Sequence, residues 1–307
     1  MDDSIKRVFL NPGLIFLTLG HRGLLNWISD ENYLKIAYRI RMGKKLNLES
    51  PATFNEKIQW IKLNDRKPIY TNMVDKIEAK KIVSSIIGEE YVIPTIGVWE
   101  RFQDIDFNGL PSQFVLKCSH DSGGLVICRD KAQLDICQAK RKIEKSLKHN
   151  FYYSGREWPY KNVRPRILAE YYMENNDSSI KGLVDYKFFC FNGTPQLLYV
   201  SHGLEHHPTA EISFYDMKGN EMPFHRSDFK PFHGASIPDD FDEMKIIAKR
   251  LSQAVGCPFV RIDLYSINGK IYFSEITFSP CSGMIPFEPK SADLRLGKLI
   301  KLPNEGC

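Results

Sequence analysis

The stretch Val260–Phe278, VRIDLYSINGKIYFSEITF, reads as two strands joined at Asn268-Gly269, a dipeptide that marks a tight hairpin. Asp263 lies on the first strand and Glu275 on the second, both in apolar company. Charge on a half-buried hairpin is costly unless it is paired or holds a metal. Side chains alternate along a strand, so Arg261 and Asp263 share one face, and Glu275 and Thr277 share one face of theirs. Two carboxylates held together repel unless a cation sits between them. Hard oxygen donors of this kind suit magnesium, which takes one or two protein carboxylates plus substrate phosphates. An edge hairpin with two solvated acids is the competing reading. A strict two-residue turn would set Asp263 opposite Ser274 and turn Glu275 to the other face. A shared cation therefore demands one extra residue, and a bulge or longer loop is expected between Tyr265 and Ile271.

Working outward, DDFDEMKIIAKRLSQAVG before the hairpin predicts a helix capped by Asp239 or Asp240 and closed by Gly256. VDYKFFCFNGTPQLLYVSHG predicts a second hairpin turning at Asn192-Gly193, and EISFYDMKGNEMPF a pair of short strands around Lys218-Gly219-Asn220. RILAEYYM reads as a strand, and KAQLDICQAKRKIEKSLKHNF as a basic amphipathic helix. QFVLKCSHDSGGLVIC reads as strand, glycine-containing loop, strand. Residues 1 to about 70 read as mostly helical. In SPATFNEKIQWIKLND, Ser50 or Thr53 is the N-cap, with Glu56 placed for a capping box on Thr53. Strands in antiparallel pairs with interspersed helices argue an α+β fold.

The chain has 307 residues, enough for one large or two ordinary domains, with a net charge of +5. No dense Lys/Arg block of the kind nucleic-acid arms carry is present, so a nucleic-acid partner is not expected. The seven cysteines show no CxxC or Cys/His zinc spacing, which fits free thiols in a reducing cytoplasm. The apolar run after Val8 is broken by Asn11-Pro12-Gly13 and is too short to span a bilayer. Val8 to Trp27 is read either as a helix packed on the body or as a segment lying on the inner membrane face.

Two lysines stand out on apolar strands. Lys117 ends FVLK directly before CSHDSGG, where Gly123-Gly124 would let backbone N–H groups approach an anion. Lys187 lies in DYKFF, and snorkelling at a strand edge is its bland reading. The loop Cys118 to Gly124 is a lid candidate in which His120 and Ser122 could touch phosphate. His202, His206 and His207 are read as a solvated or substrate-facing loop rather than a metal site.

The ordered set Lys76, Lys117, Glu170, Lys187, then RID and SEIT, resembles the ATP-grasp superfamily. More closely, TFNEKIQW, GEEYVIPTIGVW, FVLKCSHDSGG, DYKFFCFNG and the opening hairpin resemble the TupA-like family, named after teichuronopeptide synthesis. The resemblance covers roughly Pro51 to Pro303. It implies two β-rich subdomains clamping ATP, after a helical N-terminal region over 1–74. The ATP-grasp part would run over 75–307, with a lid subdomain near 110–170 and a catalytic subdomain over 171–303. By the same resemblance Lys76 and Lys117 would contact the adenine and the α- and β-phosphates, helped by Ser122, Gly123 and Gly124. Glu170, Tyr171 and Met173 would form the adenine hinge, and Asp177 or Glu174 would hold the ribose. Lys187 would meet the γ-phosphate. Asp263, Glu275 and Thr277 would bind Mg2+, and Arg261 would neutralise an acyl phosphate. Thr277 stands where the superfamily commonly has Asn, which makes a second metal less secure. The implied reaction joins a carboxylate to an amine at the expense of ATP. Members sit in surface-polysaccharide gene clusters, which points to a uronic-acid glycan or nucleotide sugar and an amino acid or amine as partners. The rival readings are a glycosyltransferase using Asp240-Phe241-Asp242 or Asp104-Ile105-Asp106, a kinase on the same fold, and a binding protein that has lost catalysis.

Overall fold

The computed structural model describes residues 12–121, 123–175, 182–203 and 210–303. The described chain opens with helices α1 (Pro12–His21), α2 (Asp30–Met42), α3 (Phe54–Asn64), α4 (Ile69–Val74) and α5 (Lys76–Ile87). Strands β1 (Thr95–Trp99), β2 (Phe114–Cys118) and β3 (Leu125–Cys128) follow, then helix α6 (Ile136–Leu147), the single turn α7 (Tyr152–Gly155) and β4 (Ile167–Tyr171). Next come β5 (Asp185–Phe191), β6 (Thr194–His202), β7 (Glu211–Asp216), the short β8 (His225–Arg226) and helix α8 (Phe241–Val255). The chain continues through β9 (Phe259–Ile267), β10 (Lys270–Thr277), the short β11 (Phe287–Glu288) and α9 (Ser291–Gly297).

The strands form two main antiparallel sheets, in the orders β1-β4-β2-β3 and β10-β9-β5-β6-β7. This is the expected α+β architecture. In the first sheet, Phe114, Leu116 and Ile167 pack with Ala139 and Ile143 of α6. The second sheet is covered on both faces. Phe188, Cys190, Ile262 and Leu264 meet α5 and α8 on one side. On the other, Phe189, Phe191 and Phe259 meet Phe54 and Ile58 of α3. Helix α3 starts where predicted, with Thr53 and Glu56 closing a full capping box and Thr53 as the cap. Helix α8 begins after Asp240 and ends at Gly256 in the left-handed conformation.

Two local expectations are corrected. The EISFYDMKGNEMPF stretch forms one strand, β7, and not two. Its return is a single bridge between Tyr215 and Glu221, because Asp216 accepts hydrogen bonds from the N–H groups of Lys218 and Asn220 and closes a compact turn. The opening hairpin has the strict two-residue turn, with Ile267 paired to Lys270 and both Asn268 and Gly269 at positive φ. The extra residue lies four positions further on, at Ser274, between the pairs Leu264–Phe273 and Asp263–Glu275. The cause is burial. Ile271 and Phe273 face the core beneath α5 and α8, and so do Ile276 and Phe278. Only a bulge at Ser274 lets both pairs face inward and leaves Glu275 on the side of Asp263.

Candidate active site

The bulge brings charged residues of three strands into line. Lys187 on β5 is the register partner of Asp263 on β9, which is the partner of Glu275 on β10. One step along the same face, Arg261 is the partner of Thr277. Because β5 is the central strand, Lys187 is buried and not snorkelling at an edge.

Asp263 is wholly buried. Arg261 donates to it twice, Nε to Oδ1 and Nη2 to Oδ2, each at 2.6 Å. Lys187 Nζ donates to Asp263 Oδ2 and to Asp185 Oδ1, each at 2.8 Å. Arg261 Nη2 also reaches Glu275 Oε1 at 2.7 Å and Thr277 Oγ1 at 2.9 Å, and Nη1 reaches the Tyr199 hydroxyl at 3.2 Å. Asp263 and Glu275 are therefore held together by Arg261, while Lys187 joins Asp263 to Asp185. Burial works against the charge of Lys187 and Arg261, but the facing carboxylates outweigh it and hold both cations well above their ordinary pKa. Burial also pushes the Asp263 carboxyl up, against the pull of the same cations. For Glu275, burial is outweighed by Arg261, Lys187 and Lys76, and its carboxyl falls to about 2.

A cavity of about 310 Å³ lies between the two sheets. Val115, Leu125, Ile127, Met173 and Leu183 give it apolar walls, while Lys117, Glu170 and Asp185 supply charge. Glu170 is buried between Lys117, at 2.5 Å, and Lys80. Burial raises its carboxyl, and the two ammonium groups outweigh this and hold it below the ordinary carboxylate range. The side chain of Glu170 is thus engaged by two lysines at the cavity wall, and Tyr171 and Met173 line the same space.

The other expected residues are more dispersed. Lys76, the first residue of α5, donates through Nζ to the Asp121 carbonyl. The Gly124 N–H donates to Asp121 Oδ1 at 3.0 Å and is spent within the loop. A Cβ at Gly124 would come within 2.5 Å of Cys118 Sγ and Ser146 Oγ, so close packing of the loop on α6 demands glycine there. At Gly123 a Cβ would meet only Asp121, at 3.8 Å. His120 is buried, with Nε2 against the Ser146 and His149 carbonyls at 3.1 Å. His202 packs on Phe232. Ser122, Asp177, His206 and His207 lie outside the described residues. The acids at 104, 106, 240 and 242 line neither this cavity nor the second one described below. Asp240 accepts from Ser266, and Asp242 pairs with Lys245.

Four participants were missed in the sequence. Asp185 sits two residues before Lys187 on the same face of β5, and Lys80 follows Lys76 by one helical turn; both spacings were available. Tyr199 carries no such signal. Nor does Glu157, a buried acid in a polar loop, which lines a second cavity of about 350 Å³ with Arg261, Glu275 and Thr277.

The donors present suit a hard divalent cation. Asp263 and Glu275 face each other with Thr277 alongside. Arg261 and the Thr277 hydroxyl both use Glu275 Oε1, and this side chain is 32% exposed. Among the described residues, no group of three or more His, Cys, Asp and Glu gathers as a metal site, so exogenous oxygens would have to complete the shell.

The sequence profile of the TupA-like ATPgrasp family matches residues 56–301. The chain belongs to this family. Solved structures with similar folds include D-Ala-D-Ala ligase from Helicobacter pylori, at 14% identity and a TM-score of 0.45, covering 82% of this chain and 70% of that one. D-alanyl-alanine synthetase A from Vibrio cholerae is 15% identical with a TM-score of 0.41, covering 70% and 57%. D-Ala-D-Ala ligase from Bacillus anthracis, complexed with ATP, is 15% identical with a TM-score of 0.42, covering 75% and 60%. The chain thus spans less than two thirds of two of these three proteins. No curated protein matches the sequence. Among the described residues, no helix is long and apolar enough to cross a membrane.

Proposed function

We propose that this TupA-like ATP-grasp protein is an ATP-dependent carboxylate–amine ligase that forms an amide through an acyl phosphate. Its acid would be a uronic acid of a surface polysaccharide or its precursor, and its amine an amino acid or related compound. One observation carries the reading. The row of buried Lys187, buried Asp263 and half-buried Glu275 runs between two cavities, with Asp185 lining the first and Arg261 and Glu275 lining the second. A nucleotide in the first cavity would present its terminal phosphate to an acceptor in the second across this row.

In this reading the apolar walls hold the adenine, and Lys117 neutralises phosphate charge. Lys187 and Arg261 face the transferred phosphoryl group and the acyl phosphate, where fixed cations in a low-dielectric site stabilise developing charge. Asp263, Glu275 and Thr277 would hold magnesium, which supplies charge neutralisation on phosphate oxygens. The work is assigned to the cytoplasm, at the inner face of a membrane. There Trp27, 81% exposed, and Leu24, 59% exposed, offer apolar contact, which flotation with anionic liposomes tests.

The decisive experiment traps the acyl phosphate. The full chain is incubated with Mg–ATP, hydroxylamine, and either glucuronate or UDP-glucuronate. The reading expects acid-dependent hydroxamate with equimolar ADP and phosphate. Nucleotide turnover without hydroxamate across a wider panel of uronic acids would overturn it.

A further inference from the structure

The second cavity has walls that the nucleotide does not need. Its floor is the segment Ser279–Ser282, and its sides come from Phe151, Gly155, Glu157 and Tyr160. His21 of α1 and Arg41 of α2 reach it from the N-terminal helices. Cys281 and Ser282 both take left-handed backbone conformations, with φ of 49° and 57°, and Gly283 follows at 68°. Such strain persists only where its surroundings impose it, and it collects at binding sites. Here Gln59 holds the segment by donating to the carbonyls of Ser282, at 2.9 Å, and Gly283, at 2.7 Å.

Glu157 is buried, yet it lines this cavity. The Ser282 hydroxyl is its hydrogen-bonding neighbour, and Lys62 is the cation that acts on it most strongly. Lys62 Nζ donates to Gln59 Oε1 at 2.9 Å and to the carbonyl and hydroxyl oxygens of Ser282 at 3.0 Å each. Three acceptors hold the Lys62 amine behind the acid, and burial pushes its pKa down to about 7 against the pull of Glu157. A Cβ at Gly155 would collide with Ser282 Oγ and come within 3.2 Å of Glu157 Oε1, so the missing side chain keeps the carboxylate accessible.

We propose that this cavity binds the amine co-substrate as an α-amino acid, with Glu157 anchoring its ammonium group and then accepting its proton, and Arg41 meeting its carboxylate. The proposal rests on the ligase reading above for the reaction, but not for the binding site. An amine enters at neutral pH as R–NH3+ and cannot attack in that form. The Glu157 carboxylate takes one proton. The freed lone pair attacks the acyl carbon, the C–O bond to phosphorus-bound oxygen breaks, and phosphate leaves with the electron pair and takes the second N–H proton. Glu157 then returns its proton to solvent, so the sum is acid, ammonium and ATP giving amide, ADP, phosphate and one proton. Burial pushes the Glu157 carboxyl up from the ordinary carboxylate range, against the pull of Lys62, Arg261 and Arg41. A base poised nearer neutrality suits this transfer. His21, Tyr160, Glu275 and Cys281 are the remaining titratable groups around the cavity.

The test is calorimetric titration of the full chain, loaded with Mg–ADP, with glycine, L-alanine, L-glutamate and L-lysine between about pH 6 and about pH 8.5. At least one amino acid should bind, more tightly as Glu157 ionises. Glu157→Gln should weaken that binding roughly tenfold or more and flatten its pH profile, while Glu157→Asp keeps the profile. If Glu157→Gln unfolds with Lys62 left facing it, the double variant Glu157→Gln/Lys62→Gln replaces it. Binding of none of the four by wild type, or equal binding and pH dependence in the glutamine variant, would overturn the proposal. Hydroxamate formation separates the two readings. Hydroxylamine is largely neutral at pH 7 and needs no proton removed before it attacks, the departing phosphate taking the one it loses, so Glu157→Gln should lower amide formation far more than hydroxamate formation. Amino-acid binding that depends on Glu157 in a protein that makes no hydroxamate would retain this site and refute the ligase.

Discussion

Asp263→Asn tests the charged row most directly. Asp263 is wholly buried and accepts two N–H bonds from Arg261 at 2.6 Å and one from Lys187 at 2.8 Å. Asparagine keeps the size but removes the charge and points an amide NH2 at one of these donors. Arg261 and Lys187 then lie buried, with Glu275 and Asp185 as the nearest remaining acids. Breaking a buried ion pair by removing one partner costs about 3–5 kcal/mol. At about 2.1 cal/mol/K per residue, a 307-residue chain unfolds with an entropy of about 0.64 kcal/mol/K. The ratio predicts a melting temperature about 5–8 °C below wild type. Differential scanning calorimetry at neutral pH is the assay. Adding Arg261→Met should recover part of the loss, because the second substitution removes a cation that the first left unpaired. A single variant melting within about 1 °C of wild type would refute the claim that these contacts neutralise a buried charge.

Glu275→Gln should change the acid limb of the stability curve. The folded carboxyl sits at about 2, so its charge contributes stability above the ordinary carboxylate range, lost as pH falls through about 2. Melting temperatures between about pH 4.5 and pH 2 should fall more steeply for wild type than for the variant, and parallel curves would contradict the assignment. Lys117→Ala should weaken ATP binding about 10- to 100-fold by calorimetry, since a charge-assisted contact contributes about 1.5–3 kcal/mol. An unchanged affinity would move the nucleotide out of the cavity between the sheets. Gly124→Ala should cost about 1–3 kcal/mol of stability through contact with Cys118 and Ser146. An unchanged melting temperature would show that the loop yields freely.

Much of this was legible in the chain. Caps, hairpin dipeptides and apolar spacing are local, so α3, α8 and the β5–β6 hairpin could be read directly, whereas the β9–β10 turn was expected to be irregular and is regular. The ordered lysines and carboxylates pointed to the ATP-grasp family before any geometry was known. The bulge was also written in the sequence, but in a different place from the turn. Ile271, Phe273, Ile276 and Phe278 step by two, three and two, and the three-residue step marks Ser274. Reading it required knowing that all four residues face one core, which is a property of helices α5 and α8 packing on the sheet.

What tertiary structure alone decided is which charges meet. Lys187, Asp263 and Glu275 are separated by 76 and 12 residues in sequence, and only the strand order β10-β9-β5 sets them side by side. Arg261 folds onto both acids because the pleat puts it on their face one step away, where its donors match their oxygens. Glu157 and Lys62 come from a loop and a helix with no shared pattern, joined through Ser282. Local propensity acts over a few residues, whereas the energy of a buried charge depends on whatever the fold brings within a few ångströms of it. For that reason the elements could be read along the chain, and the electrostatics of the site could be read only in space.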